Sequence, residues 1–209
     1  MASHDARPLF PQRLGGRRVA IFCDFQFEDM EVMFPKLRLE EEGAEVMIVG
    51  AHPVGTVYKG KHGYPVKCTH SADTFVVGHV DALVLPGGFA PDYMRRCPAM
   101  LAAISVALGA GKPCAAICHG PWMFCSARFL NGDPVVKGRR CTAFAAIKDD
   151  VVNAGATWVD EAVVVDGPLI SSRTPADLVP FVHAIIRAVL HSQPRLPRSP
   201  SPARCSPSR

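Results

Sequence analysis

Lys112 to Pro121 reads KPCAAICHGP, and the fold turns on whether this stretch is a cysteine cluster or a strand running into a tight turn. As a strand it puts Cys114 and Cys118 on one face, about 13 Å apart at about 3.3 Å per residue. That exceeds the Cα span of roughly 7 Å that a disulfide bridges, and the reach of shared zinc ligands. Cys125 lies about 10 Å further along the following helix, and no C-x-x-C or paired Cys/His spacing occurs. What remains is a buried strand ending in Ala116-Ile117-Cys118-His119-Gly120, with small residues two before and two after the central cysteine. This is a nucleophile elbow with Ala first and Cys in the serine position. The sharp turn admits only small flanks and lifts its central side chain, here expected to be exposed, above the carboxyl edge of a sheet. A thiol at a helix N-terminus is expected to have a lowered pKa, and His119 offers an adjacent base. Cys114, Cys68, Cys125 and Cys23 read as small buried hydrophobes, and Cys141 and Cys97 stay open.

Working outward, RVAIFCD from Arg18 is a short apolar strand, followed by EDMEVMFPKLRLEEEG with helical spacing at Met30, Phe34, Leu37 and Leu39 and a closing Gly43. EVMIVGA, DALVLPGG and KPCAAIC are further buried strands, and GTVYKGKHGYPVKCTH is a hairpin turning around Lys61 to Gly63. PDYMRRCPAMLAAISVALGAG reads as one helix with a glycine C-cap, and GPWMFCSARFL as a helix with proline in its first turn. A strand near RRCTAF, a helix AIKDDVVNAG, strands TWVDEAVVVDG and LISSR, and a final helix PADLVPFVHAIIRAVLHS complete the chain. Strands apolar on both faces and alternating with helices predict an α/β, flavodoxin-like three-layer sandwich with a mostly parallel sheet, like that of the class I glutamine amidotransferases.

Length and composition agree with one domain. The 209 residues are 48% hydrophobic, and eight cysteines are too sparse for a disulfide-stapled secreted fold, so the expected compartment is reducing and cytoplasmic. Residues 1–17 read as a disordered, arginine-containing leader with a faint resemblance to an organelle-import signal, 18–193 as the domain, and 194–209 as a disordered Pro/Ser/Arg tail whose Ser-Pro pairs could accept phosphate. The tail holds four arginines and no acid, leaving nineteen basic and nineteen acidic side chains in the rest of the chain. Such a neutral body lacks a basic stripe for nucleic acid, and no run approaches the roughly 20 apolar residues of a membrane span. The loop CDFQFED carries acids and no glycine where a flavin or nucleotide phosphate would sit, and no His-x-Glu pair exists to complete an amidotransferase triad. No cofactor or metal is expected.

AAICHGP, preceded by FEDMEV and DALVLPGGFAPD and followed by IKDDVVNAGATWVDEAVVVDG and SSRTPADL, resembles the PfpI branch of the DJ-1/PfpI superfamily from Arg18 to Leu190. The resemblance implies Cys118 as nucleophile, His119 beside it, Glu28 of FED as the acid at the thiol, and the backbone N–H groups of Gly88 and His119 as oxyanion donors. It also implies Asp92 in place of a glutamate that reaches the histidine of a neighbouring subunit, and hence a homo-oligomer of two, three or six chains. Asp92 is one methylene shorter than that glutamate, and Phe144 replaces a tyrosine hydroxyl. From sequence alone Glu28 and Glu31 read equally as acids favoured in a helix's first turn; the resemblance lifts Glu28 above that and leaves Glu31 as a solvent-facing or supporting acid, and His62 reads as a surface turn residue. The implied activities are glutathione-independent glyoxalase (methylglyoxal to lactate) or protein deglycase, with an intracellular cysteine peptidase or a redox-responsive stress protein with an oxidisable cysteine as alternatives. The expected substrate is a small dicarbonyl or a peptide.

Overall fold

The computed structural model describes residues 12–192. Its central sheet is built from the apolar runs. β1 (Arg18–Cys23), β6 (Ala82–Leu85), β7 (Cys114–Ile117) and β11 (Leu169–Ser172) are buried almost throughout, as strands covered by helices on both faces must be. With β2 (Glu45–Gly50), β5 (His70–Ser71) and β10 (Val163–Asp166) they form seven strands in the order β10-β11-β7-β6-β1-β2-β5. All neighbours are parallel except the β10–β11 hairpin. β3 (Val57–Lys59) and β4 (Pro65–Lys67) make a separate antiparallel hairpin, and β8 (Arg140–Cys141) pairs with β9 (Thr157–Trp158). The expected doubly wound α/β architecture is present.

α1 (Asp29–Glu41) and α6 (Leu178–His191) pack together on one face of the sheet. On the other lie α2 (Ala90–Met94), α3 (Pro98–Gly109), α4 (Trp122–Ser126) and α5 (Lys148–Asn153). The single helix expected over Pro91–Gly111 is broken into α2 and α3. Cys97 is extended because the ring of Pro98 crowds the helical conformation of the residue before it, and Pro98 then starts the next helix. α1 also differs from its apolar pattern. Leu39 is buried as expected, but Met30 and Leu37 are 52% and 56% exposed, and Glu31, Val32 and Pro35 face inward instead.

The leader boundary moves as well. Leu14 is fully buried, its amide donates to Glu42 O at 2.7 Å, and Arg17 pairs with Asp81 at 3.1 Å, so residues 12–17 belong to the folded body. The rest of the leader and the Pro/Ser/Arg tail lie outside the described residues. Among the described residues no cysteine is disulfide-bonded, and no helix is long and apolar enough to cross a membrane.

Candidate active site

β1 is the strand from which the chain winds first toward β2 and then, after returning, toward β6 and β7, so the carboxyl ends of β1, β6 and β7 border the crevice where doubly wound sheets place their ligands. Cys118 follows β7 directly and has a φ of +61°, a left-handed conformation that a non-glycine residue keeps only under local constraint. The constraint is visible around it: Cys118 N–H donates to Ser172 O at 3.1 Å and Phe144 N–H to Cys118 O at 2.9 Å. A Cβ on Gly120 would stand 2.3 Å from Leu85 O, the steric reason for the small flank.

The loop after β6 closes over the elbow. A Cβ on Gly87 would lie 2.7 Å from Cys118 Cβ and 2.8 Å from both His119 N and Glu31 Oε2, so only glycine lets the loop come this near. Gly88 takes a φ of +69°, and the backbone N–H groups of Gly88 and His119 lie close enough to Cys118 Sγ to favour the thiolate. His119 Nδ1 is 3.3 Å from the same sulfur, and its ring sits between Trp122 and Phe144 with centroids 5.1 and 5.0 Å away.

The acid beside the thiol is Glu31. It is fully buried, its Oε2 accepts the Gly87 amide at 2.6 Å, its Oε1 has no hydrogen-bond partner among the described residues, and its ionisation is coupled to the neighbouring Cys118 thiol. Glu28, expected in that place, is also buried at the pocket but directs Oε2 to Lys61 Nζ at 3.1 Å. The physical reason lies in α1: Glu28 is its N-cap, one turn further out, and the inward face carries Glu31 toward the sheet edge instead. Asp29 is structural. Its two oxygens accept the amides of Tyr64 and His62 at 2.9 and 3.0 Å, which pins the β3–β4 turn and delivers Lys61 to the pocket. Lys61 carried no sequence signal beyond its place in that turn.

Burial governs the ionisation. It lifts Glu31 to about 8, assisted by the charge of Glu28, and lifts Cys118 to about 12, assisted by the charge of Glu31, against the Gly88 and His119 amides. The lowered thiol pKa expected from the helix N-terminus is not found, because Cys118 is only 8% exposed and the five-residue α4 is a weak dipole against that desolvation. The raising effects of Glu31 on Cys118 act only while Glu31 is ionised, so the two groups titrate as one coupled unit. Burial, and then the charge of Lys61, lower the His119 pKa and favour the neutral imidazole.

These groups line a cleft of about 490 Å³ together with Gln26, Phe89, Trp122, Phe144, Thr174 and Pro175. Asp92 is not among them. It sits on α2, 38% exposed at its side chain, paired with Arg96 one turn on. Glu28, Asp29 and His62 bring ligand atoms within 4.8 Å of one another, but the Lys61 ammonium already holds the Glu28 oxygen, and this opposes a cation there.

The chain matches the DJ-1/PfpI family profile over residues 17–188. It belongs to the DJ-1/PfpI family. It is 44% identical over 162 residues, 78% of this chain and 93% of the relative, to "Deglycase PH1704" of Pyrococcus horikoshii. It is 34% identical over 165 residues to "Putative cysteine protease YraA" of Bacillus subtilis, covering 79% of this chain and 94% of the relative. Among solved structures it is similar to a two-domain protein of Anabaena variabilis with DJ-1/ThiJ/PfpI-like and ferritin-like domains, at 40% identity and a TM-score of 0.77, covering 82% of this chain and 47% of that one.

Proposed function

We propose that this DJ-1/PfpI chain is a cysteine-dependent enzyme of reactive carbonyl compounds, acting on a small dicarbonyl such as methylglyoxal or on carbonyl adducts of protein side chains. The observation that carries the reading is the convergence on Cys118 Sγ of two backbone N–H donors, the His119 imidazole and the Glu31 carboxyl inside one cleft. The deglycase name of a relative at 44% identity supports it.

In the proposed sequence the thiol proton passes to His119 Nδ1 as Sγ bonds to the aldehyde carbon, and the Gly88 and His119 amides hold the alkoxide. The alkoxide takes the proton back from His119, giving a hemithioacetal. Glu31, poised at about 8, then removes the hydrogen from the former aldehyde carbon as a proton and returns it to the neighbouring carbon, leaving a thioester. Water cleaves the thioester to lactate and free thiol, so methylglyoxal plus water balances lactate with no external oxidant. Amide cleavage on the same elbow must also expel a poor leaving group, which places the peptidase reading, supported by the protease-named relative, second. Asp92 would enter the chemistry only through a second copy of the chain. A stable monomer by light scattering that retains full activity would remove it from the mechanism.

The test is lactate formation from methylglyoxal without glutathione. Wild type is expected to turn over and Cys118→Ala to lose about a thousandfold or more; equal rates would remove this substrate. A peptide assay run beside it tests the second reading.

A further inference from the structure

A second cleft, of about 360 Å³, opens beside the loop after β1 and shares no lining residue with the cleft at Cys118. Its distinctive group is Asp24, 2% exposed. Oδ1 accepts the Phe25 amide at 2.8 Å, and the nearest basic nitrogen, His52 Nδ1, is 3.8 Å from it. That nitrogen also meets the Tyr58 hydroxyl at 3.2 Å. Asp24 lines the cleft, its Oδ2 takes part in no hydrogen bond or ion pair among the described residues, and burial raises its pKa against the Phe25 amide and the charges of His52 and Arg96. Phe25, His52 and Tyr93 supply aromatic walls.

Arg96 lines the same cleft, and its charge favours the ionised form of Asp24, although the two side chains form no ion pair with each other. Arg96 Nε donates to Asp92 O at 2.9 Å, Nη2 pairs with the Asp92 carboxylate, and its guanidinium lies over the Tyr93 ring at 4.9 Å from the centroid. Nη1 is unengaged among the described residues. The cleft thus offers an open carboxylate oxygen, aromatic faces that favour a cation, and a guanidinium edge that accepts an anion.

We propose that this cleft binds a free α-amino acid, its ammonium on Asp24 Oδ2, its carboxylate on Arg96 and an apolar side chain against Phe25 and Tyr93. The volume is in the range of small-ligand sites. Nothing in this inference depends on Cys118.

Isothermal titration of the full-length protein at about pH 7 with L-leucine, L-leucinamide and 4-methylpentanoate tests it. Leucine is expected to bind at one saturable site, leucinamide about tenfold or more weaker for lack of the carboxylate, and 4-methylpentanoate not at all. Asp24→Asn is expected to weaken leucine about tenfold or more, Arg96→Gln to bring leucine down to the level of leucinamide, and Cys118→Ala to bind as wild type. Absence of leucine binding to folded wild type, leucinamide binding as tightly as leucine, or undiminished binding by Asp24→Asn would each overturn the proposal. The leucinamide arm also separates a free amino acid from a peptide N-terminus. Should Asp24→Asn fail to fold, the exposed Arg96→Gln variant keeps the test open.

Discussion

At the amino-terminal end of α1, Glu31 is fully buried at the sheet edge with one backbone amide on its carboxyl, and its pKa rises to about 8. Just past the other end of the same helix, Glu42 is also little exposed, yet it is held down to about 2 by the guanidinium groups of Arg13 and Arg38. The same side-chain type takes opposite pKa shifts because Glu31 lies deep at the sheet edge, where desolvation outweighs the Gly87 amide and the distant charge of Lys61, whereas Glu42 lies near the surface and is met by two guanidinium groups. The first arrangement makes a proton carrier at the cost of stability, and the second returns stability with no part in chemistry.

Removing the acid at the site end should give the largest change. Between about pH 4.3, where an unfolded glutamate ionises, and about 8, the native state keeps a proton that the unfolded state has lost, so wild-type stability falls as pH rises. Glu31→Gln lacks this slope. Urea denaturation is expected to show the variant more stable than wild type by about 1–3 kcal/mol at pH 8 and equal to it below about pH 4. A variant less stable than wild type at pH 8 would show that Glu31 is not a strained acid.

The opposite sign is expected at the far end. Glu42 has a depressed pKa, so its contribution is present above about pH 4.3 and is lost as pH falls toward 2. Glu42→Gln should cost about 1–2 kcal/mol at pH 7, discounted because Arg13 is half exposed, and only a small remainder, below about 0.5 kcal/mol, at pH 2. Smaller still, Lys36→Met breaks the partly exposed i,i+4 pair with Glu40 and should cost less than about 0.5 kcal/mol by the same measurement.

The sheet was legible because its central strands are short runs of apolar residues buried on both faces, and the elbow because Ala116, Cys118 and Gly120 satisfy a steric pattern that burial does not blur. Glu31 was not. Apolar periodicity named Met30, Phe34, Leu37 and Leu39; Leu39 is buried and Phe34 half-buried, but Met30 and Leu37 are exposed, and the inward face also carries Glu31, an acid that a hydrophobic criterion discards. Only a reading that admits acids to a helix's buried face at a sheet's carboxyl edge would have found it. Lys61 was hidden differently: it reaches the pocket because Asp29 binds two amides of the hairpin turn, a contact made across 33 and 35 residues. The ionisation of Cys118 depends on desolvation by the closed Gly87-Gly88 loop, which no local motif encodes.

The central claim, that Glu31 and not Glu28 shares the proton of Cys118, is tested most directly by the pH profile of Cys118 alkylation, read by mass spectrometry of its peptide. Wild type should rise in two steps, the first near pH 8 where the coupled pair loses its first proton and the second toward about 12. Glu28→Gln should keep both steps, and Glu31→Gln should show one. Two steps retained in Glu31→Gln, or the lower step lost in Glu28→Gln, would contradict the account.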